Sequence, residues 1–532
     1  MSPLLILIIG VIIVISMIIV LRVNAFIALI TAAMVVSLLS PGVLSEKMTR
    51  VAVAFGTVVG SIGIVIAMAA VIGKCLMDSG AADRIVRAFL RLLGEKRTPW
   101  ALMGSGFVLS IPVFFDTVFY LLVPLARSLY KRTGKNYMVY LMAICAGGAL
   151  THTLVPPTPG PLFIANEFGI DLGLMIFMGV IVGIPTAVIA MIFCRIINHF
   201  VNVPMRSYSG QPEPEPIPDS ELPPLWLSLL PVLLPVILIS TNTIANVFAR
   251  AEHVNTLTPR ILNAQIEGNE KDARDLAEKL VNAKILSDFG DVQELTAKIQ
   301  EAEIRENPAD DEVLAQELIK ANVFGDDKQV GPAQKAADIT AVLGNANLAL
   351  FLSAVISMFL VVWKRKISLR ELTKSVDQSL MSGGIIILIT AGGGAFGAML
   401  QEAGIKAYIQ SAFASSGQNV SLMIFIAAFA VASLLKIAQG SSTVAMITTS
   451  TMFAAMGLTT EILGCNFVYL ALSIGGGALV GSWMNDSGFW IVARMGALTE
   501  TEALKSWTVI AAVVGTMSFG FTLLLSRLFP LV

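Results

Sequence analysis

The stretch GKCLMDSGAADRIVRAF at residues 73–89 has a counterpart in GAMLQEAGIKAYIQSAF at residues 397–413. Seven positions match at an offset of 324 residues, and one of them pairs Gly80 with Gly404. A second block follows in the same order at an offset of 328, pairing Gly148 with Gly476 and Gly160 with Gly488. Because chance rarely produces two such blocks in the same order, we interpret the chain as a duplication.

The composition of the whole chain is that of a membrane protein. Its 532 residues are 55% hydrophobic and 14% charged, whereas a soluble domain carries about 25% charged residues. This composition excludes a soluble enzyme and a disordered chain. The 36 basic and 37 acidic residues leave no basic field for nucleic acid. Four scattered cysteines and three histidines indicate neither a disulfide framework nor a metal site.

Nine uncharged runs are long enough to cross about 30 Å of hydrocarbon as helices. They are residues 1–21, 23–45, 51–73, 172–194, 222–249, 339–363, 378–401, 462–485 and 506–526. Three further apolar regions are interrupted by charge or proline, at residues 98–127, 136–166 and 407–460. Each half therefore reads as three spans, an amphipathic arm, a hairpin, a broken span and a final span.

The hairpin at residues 98–127 is too short for two crossings, so we expect it to be re-entrant. A re-entrant hairpin adds no net crossing, so five crossings remain in each half. Because five is odd, the second half must be inverted in the membrane relative to the first. The sequence thus predicts an all-α polytopic membrane protein with two inverted repeats of about five spans each. A re-entrant hairpin in each repeat and a helical extramembrane insert complete the predicted fold.

The charges between the spans predict a topology. If the arm at residues 74–99 is cytoplasmic, 20 Lys and Arg residues lie inside and 4 lie outside, apart from the insert, as the positive-inside rule requires. The insert carries 11 basic and 19 acidic residues. The number of crossings that precede it in this topology places the insert outside the cell. The predicted domains are a first membrane repeat (1–206), a cytoplasmic Pro-rich linker (207–224), the first span of the second repeat (225–249), the acidic helical extracytoplasmic insert (250–340) and the remainder of the second repeat (341–532).

Four breaks in the apolar pattern fall at matched positions of the two halves. They read SIPVFFDT (110–117), THTLVPPTPGP (151–161), LKIAQGSST (435–443) and GSWMNDSG (481–488). Unpaired backbone groups are costly in lipid, so broken helices persist only where protein or water surrounds them. Matched breaks near the bilayer midplane are typical of a transporter's substrate site.

The breaks hold nearly all the ionisable residues at membrane depth, and such residues are usually functional. We expect Asp116, His152 and Asp486 to serve proton coupling and Lys436 to bind a substrate carboxylate. An internal ion pair that fixes the packing is the alternative reading for each charged residue. The substrate-binding candidates are Ser110, Thr117, Thr151, Lys436, Gln439, Ser441, Ser442, Thr443, Asn485 and Ser487. This set suits a hydroxylated, anionic small molecule, helped by N–H groups at the helix ends.

These motifs resemble the gluconate permease (GntP) family of sugar-acid:proton symporters. The resemblance rests on IPVFFDTVFYLLVPLA (111–126), THTLVPPTPGP, KIAQGSSTVAMIT (436–448) and NDSGFW (485–490), and it covers most of the chain outside residues 250–340. It implies a bacterial inner-membrane symporter for gluconate-like acids, with paired hairpins and elevator motion. Members of the family have Glu where this sequence has Asp116, and Arg where it has Lys436. They also have His at the positions of Thr158 and Trp483. These departures from the family pattern bear on substrate identity and proton coupling.

Other functions remain open at the level of sequence. The same fold could carry D-serine or D-glycerate, or couple to sodium. An intramembrane aspartyl protease using Asp116 and Asp486 would need a G-x-G-D-type span, which neither residue has, and a receptor role would rest on the insert alone. No phosphate-binding P-loop supports ATP-driven transport. The expected partners are a small carboxylate, protons or sodium, and the bilayer, with a homodimer left open; we expect no cofactor and no enzymatic activity.

Overall fold

The computed structural model describes residues 2–21, 23–94, 97–201, 203–206, 218–266, 332–404, 420–484 and 486–531. The chain forms two compact units, a larger one of Met1–Ile237 with Ala346–Val532 and a smaller one of Leu238–Asn345. Most of the predicted insert, at residues 267–331, and most of the predicted linker, at residues 207–217, lie outside the described residues.

The described residues form helices and no strands. The helices are α1 (Pro3–Ile15), α2 (Ala25–Leu39), α3 (Lys47–Ser79), α4 (Ala81–Leu93), α5 (Thr98–Leu109), α6 (Phe115–Thr133), α7 (Tyr137–Leu154), α8 (Pro159–Glu167), α9 (Leu172–Phe200), α10 (Leu225–Ile266), α11 (Pro332–Leu343), α12 (Ala346–Arg365), α13 (Leu369–Glu402), α14 (Val420–Gln439), α15 (Ser442–Ala455), α16 (Thr460–Leu463), α17 (Phe467–Gly477), α18 (Ser487–Met495), α19 (Glu500–Ala503) and α20 (Val509–Leu528). Short π-helical turns follow α1 and α19.

Eight stretches of described helix are long and apolar enough to cross a membrane. The two N-terminal runs that the sequence analysis counts as spans form the shorter helices α1 and α2, of 13 and 15 residues. The prediction of an all-α polytopic membrane protein is therefore confirmed. Ten crossings and an inverted second repeat remain predictions.

The two halves contain helices in the same order around the predicted breaks. A left-handed glycine follows each of two long helices, Gly80 directly after α3 and Gly404 two residues after the end of α13, each with a φ of 79°. This conformation is nearly free of strain only for glycine, which explains why both positions hold that residue. A helical hairpin follows in each half, formed by α5 and α6 in the first and by α14 and α15 in the second. The second amphipathic arm falls at residues 405–419, outside the described residues.

Each broken span consists of two short helices separated by the predicted break. Pro156 and Pro157 lie between α7 and α8, and Gly481 lies between α17 and α18. The first hairpin packs directly on the first broken span, because a Cβ on Gly147 of α7 would lie only 2.1 Å from the carbonyl oxygen of Met103 in α5. Only glycine permits this approach, and it holds the hairpin turn beside the break.

The smaller unit contains the end of α10 and the whole of α11. Within it, the Thr340 hydroxyl donates a hydrogen bond to the Asn242 side-chain oxygen at 3.4 Å. The Gly344 N–H donates to the Thr340 carbonyl oxygen at 2.6 Å and closes the turn after α11.

Candidate functional site

A cavity of about 560 Å³ lies in the larger unit, where the breaks of the two halves meet. Its walls come from the first turns of α6, α15 and α18, from the end of α14 and from one face of α13. Ten predicted site residues line it: Asp116, Thr117, His152, Lys436, Gln439, Ser441, Ser442, Thr443, Asp486 and Ser487.

Three helices begin at the cavity wall. Phe114 precedes α6 and supplies no side-chain cap, whereas the Ser441 hydroxyl accepts a hydrogen bond from the Val444 N–H at the start of α15. Asp486 precedes α18, and its carboxylate accepts the Gly488 N–H at 3.0 Å. The first N–H groups of a helix have no partner within the helix, and they carry partial positive charge. The other N–H groups of these first turns are donors suited to an anion, whereas those of Val444 and Gly488 are already bonded to Ser441 and Asp486.

A buried ion pair joins the two breaks of the second half. The Lys436 ammonium lies 2.8 Å from the Asp486 carboxylate, and the two side chains are only 3% and 9% exposed. The ammonium also donates to the Gly440 carbonyl oxygen. Ammonium carries three N–H donors, so the third has no partner among the described residues and is available to a ligand in the cavity.

The Asp486 carboxylate is held by a chain of donors. The Ser482 hydroxyl donates to it, and the Trp507 indole N–H donates to the Ser482 hydroxyl oxygen at 2.8 Å. The Thr508 hydroxyl fixes the same turn by donating to the Ser482 carbonyl oxygen at 2.6 Å. Because buried charges are tolerated only when they are paired and hydrogen-bonded, this chain of donors and the ammonium of Lys436 together hold the Asp486 carboxylate in place.

Two other cavity residues have buried polar atoms without partners in the described part of the protein. Gln439 leaves both its amide nitrogen and its amide oxygen unpaired, and His152 leaves Nδ1 unpaired. The His152 ring packs edge-on against Phe114 with centroids 6.5 Å apart. An unpaired buried polar atom costs about 1–3 kcal/mol, so these atoms lower the stability of the protein unless something in the cavity pairs with them.

Asp116 is the second carboxylate of the cavity wall, in the first turn of α6. Its side chain is partly exposed, and no hydrogen bond or ion pair joins it to another residue that the structure describes. The cavity therefore holds two carboxylates in different environments. Asp486 pairs with Lys436, whereas Asp116 has no ion-pair partner among the described residues.

Comparison with known proteins identifies the chain. The sequence model of the family described as "GntP family permease" matches residues 2–265 and 325–528. The chain belongs to the GntP permease family. The unmatched residues 266–324 fall within the predicted acidic insert. As a GntP permease, the protein is a multi-pass membrane transporter of a small molecule and not an enzyme, and the resemblance drawn from its motifs is confirmed.

Several curated relatives align with this GntP permease over nearly their whole length. It is 29% identical over 512 residues to the gluconate permease of Pseudomonas aeruginosa, and this alignment covers 95% of this chain and 93% of the relative. It is 26% identical over 516 residues to the Gnt-II system L-idonate transporter of Escherichia coli, and this alignment covers 97% of each of the two chains. The high-affinity gluconate transporter of the same species is 25% identical over 526 residues, covering 98% of this chain and 99% of the relative.

Three predicted site residues of the permease are not on the described cavity wall. Ser110 is buried in the hairpin turn, and its hydroxyl oxygen has no partner among the described residues. Thr151 is buried within α7, where its hydroxyl points back to the Gly147 carbonyl oxygen at 3.4 Å. Asn485 lies outside the described residues. Ser110 and Thr151 belong to the breaks but do not line the cavity.

The structure adds cavity residues that the sequence reasoning missed. Ser382 lies on α13 with Ile386 and Ile389 on the same face, and Ser482 and Trp507 belong to the chain of donors behind Asp486. The helical spacing of Ser382, Ile386 and Ile389 is visible in the sequence, as is the position of Ser482 four residues before Asp486. Nothing in the sequence distinguishes Trp507 from an ordinary apolar residue of the last span.

The two positions where the family pattern has histidine are structural in this permease. Thr158 is buried, donates to the Val155 carbonyl oxygen at 2.6 Å and does not line the cavity. The Trp483 indole N–H donates to the Ile437 carbonyl oxygen at 2.7 Å. His152 is therefore the one histidine among the described residues of the cavity wall.

Proposed function

We propose that this permease imports gluconate or a related small hydroxy-carboxylate by proton symport. The observation that carries the proposal is the cavity whose wall contains both a buried Lys436 with one unused N–H and the unpaired amide of Gln439. Its volume of about 560 Å³ falls in the usual range for small-molecule sites. The names of the relatives, which are gluconate and L-idonate transporters, support the same class of substrate.

The carboxylate and the hydroxyl groups of the substrate would bind to different parts of the wall. The carboxylate accepts the third N–H of Lys436 and the N–H groups at the start of α15, where positive partial charge is concentrated. The substrate hydroxyls pair with the Gln439 amide and with the hydroxyls of Ser442, Thr443 and Thr117. A site built to pair with hydroxyls discriminates strongly against substrates that lack them, since its polar groups would then stay unpaired.

Proton coupling follows from the balance of charge in the cavity. Without substrate, Lys436 balances Asp486 and leaves Asp116 as the uncompensated charge. An anionic substrate adds a second negative charge close to Asp116, and neutralising Asp116 with a proton removes that repulsion. Asp116 is our first assignment for the proton carrier, and Asp486 and His152 are the other two groups within the wall.

The remaining sequence predictions complete the proposal. The permease would reside in the bacterial inner membrane, with residues 250–340 outside the cell and the linker at 207–224 in the cytoplasm. The duplicated halves at 1–206 and 225–532, apart from that insert, would be inverted around the cavity. The match of the family on both sides of residues 266–324 supports a transport unit that does not need the insert.

Counterflow in proteoliposomes tests the proposed substrate class. Vesicles loaded with unlabelled gluconate are diluted into labelled gluconate, and transient uptake of label reports exchange without any ion gradient. We expect exchange that is competed by L-idonate and other sugar acids, with D-glycerate and D-serine as matched competitors. Competition by D-serine alone, with no effect of any sugar acid, would contradict the proposal.

A further inference from the structure

The amphipathic arm α4 has a second cavity that the transport site does not use. This cavity of about 510 Å³ lies between α4 and the first turns of α10, and none of its wall residues lines the transport cavity. Its walls are mostly apolar, with Phe89 and Leu92 on one side and Leu225 and Leu229 on the other. Arg84 and Arg91 add two cations to one side of this apolar space.

The cations of α4 differ in how they are neutralised. Arg87 and Arg91 both form ion pairs with the Asp219 carboxylate. The hydrogen bond from Arg87 and the charges of Arg87, Arg91 and Arg84 lower the pKa of Asp219, so Arg84 interacts with this carboxylate through its charge but not through a hydrogen bond that the structure shows. The Arg84 Nε is buried at the cavity and has no hydrogen-bond partner among the described residues. A buried donor on a charged group is costly to leave unpaired. Arg84 therefore marks a place for an anion.

The cavity lies beside the first residues of a candidate membrane span. Leu225 is the first residue of the candidate span Leu225–Ala249, and the neighbouring Trp226 is 65% exposed, as expected of an indole at the membrane interface. Leu92 on the opposite wall is 80% exposed. A ligand that fits must carry negative charge at one end and a long apolar chain at the other, and the molecule of that kind at this depth is a phospholipid.

We infer that this cavity binds one anionic phospholipid, with the headgroup phosphate on Arg84 and an acyl chain between Leu92 and Leu229. Basic pockets at the cytoplasmic ends of spans bind anionic lipids in the same way. The site is independent of the proposed substrate, because it shares no wall residue with the transport cavity.

Lipid titration of the purified full-length protein tests the inference. The probe is dioleoylphosphatidylglycerol added to detergent micelles, with the melting temperature and native mass spectrometry as readouts. Dioleoylphosphatidylcholine controls for the chains and sn-glycerol 3-phosphate controls for the phosphate alone. The variants are Arg84→Gln and Leu92→Gln, and Arg370→Gln is the matched control because Arg370 is an exposed arginine at the start of α13.

We expect phosphatidylglycerol to raise the melting temperature of the wild type and of Arg370→Gln, and to remain bound in the mass spectrum. Arg84→Gln should weaken the apparent affinity by about fivefold or more, the usual contribution of one basic residue, and Leu92→Gln should weaken it as well. Equal binding by Arg84→Gln and Arg370→Gln would overturn the inference. So would an equal effect of glycerol 3-phosphate, which would indicate a site for free phosphate, or of phosphatidylcholine.

Discussion

Replacing Lys436 with methionine separates the two roles that the structure gives this residue. Methionine keeps the length of the side chain but removes the charge and all three N–H donors. The substitution deletes the ion pair to Asp486 and the donor available to the substrate. Stability and substrate binding should therefore both fall, for different reasons.

The loss of stability can be worked out from the contacts of Asp486. Breaking a buried ion pair by removing one partner costs about 3–5 kcal/mol, but the Asp486 carboxylate keeps its hydrogen bonds from Ser482 and Gly488. We therefore expect about 3 kcal/mol, the lower end of that range. Adding Asp486→Asn removes the uncompensated charge, so the double variant should regain about 2 kcal/mol.

Substrate binding should not recover in the double variant, because the ammonium is still missing. A hydrogen bond to a charged group is worth about 1.5–3 kcal/mol, so the dissociation constant for gluconate should rise about 30-fold. Lys436→Arg is the matched control, since it keeps the charge and the donors and should bind nearly as well as the wild type. The assays are thermal unfolding in detergent and equilibrium titration with gluconate. Wild-type affinity in the double variant would refute the assignment of Lys436 to the substrate carboxylate.

Three further predictions follow from the same structure. Gln439→Leu should weaken gluconate binding about tenfold without lowering the melting temperature, because its amide has no partner among the described residues; a lower melting temperature with unchanged binding would contradict this. Gly147→Ala should lower stability by about 1–3 kcal/mol, whereas Gly56→Ala, with nothing within 4 Å of its Cβ, should not; equal melting temperatures would refute the close packing. Deleting residues 255–335 should preserve uptake. Protease added to intact spheroplasts should cut the insert but spare residues 127–135, and cleavage of the insert only after lysis would reverse the predicted topology.

Sequence reasoning located the parts of the site that stand out chemically. A charge in an apolar run is conspicuous, so Asp116, Lys436 and Asp486 could be selected without a structure, and all three line one cavity. Helix breaks were visible through their glycines and prolines. Gly440 and Gly481, both left-handed with φ near 85°, turn the chain beside Lys436 and Asp486.

The rest required the fold. The pairing of Lys436 with Asp486 joins residues 50 positions apart, and no local pattern indicates which cation meets which carboxylate. Ser110 and Thr151 belong to breaks yet do not line the cavity, because a break specifies where a helix stops but not which side chains reach the cavity wall. Trp507 lines the cavity and donates a hydrogen bond to Ser482, and both contacts depend on the packing of the last span.

Gradient-driven transport in proteoliposomes tests the central claim, proton-coupled uptake of a sugar acid, most directly. Labelled gluconate accumulation is measured with an imposed pH gradient, with a sodium gradient instead, and in Asp116→Asn under both. The account predicts accumulation that follows the pH gradient in the wild type and is lost in Asp116→Asn, which should still exchange gluconate because exchange need not release the proton. Accumulation that follows the sodium gradient and ignores pH would contradict it.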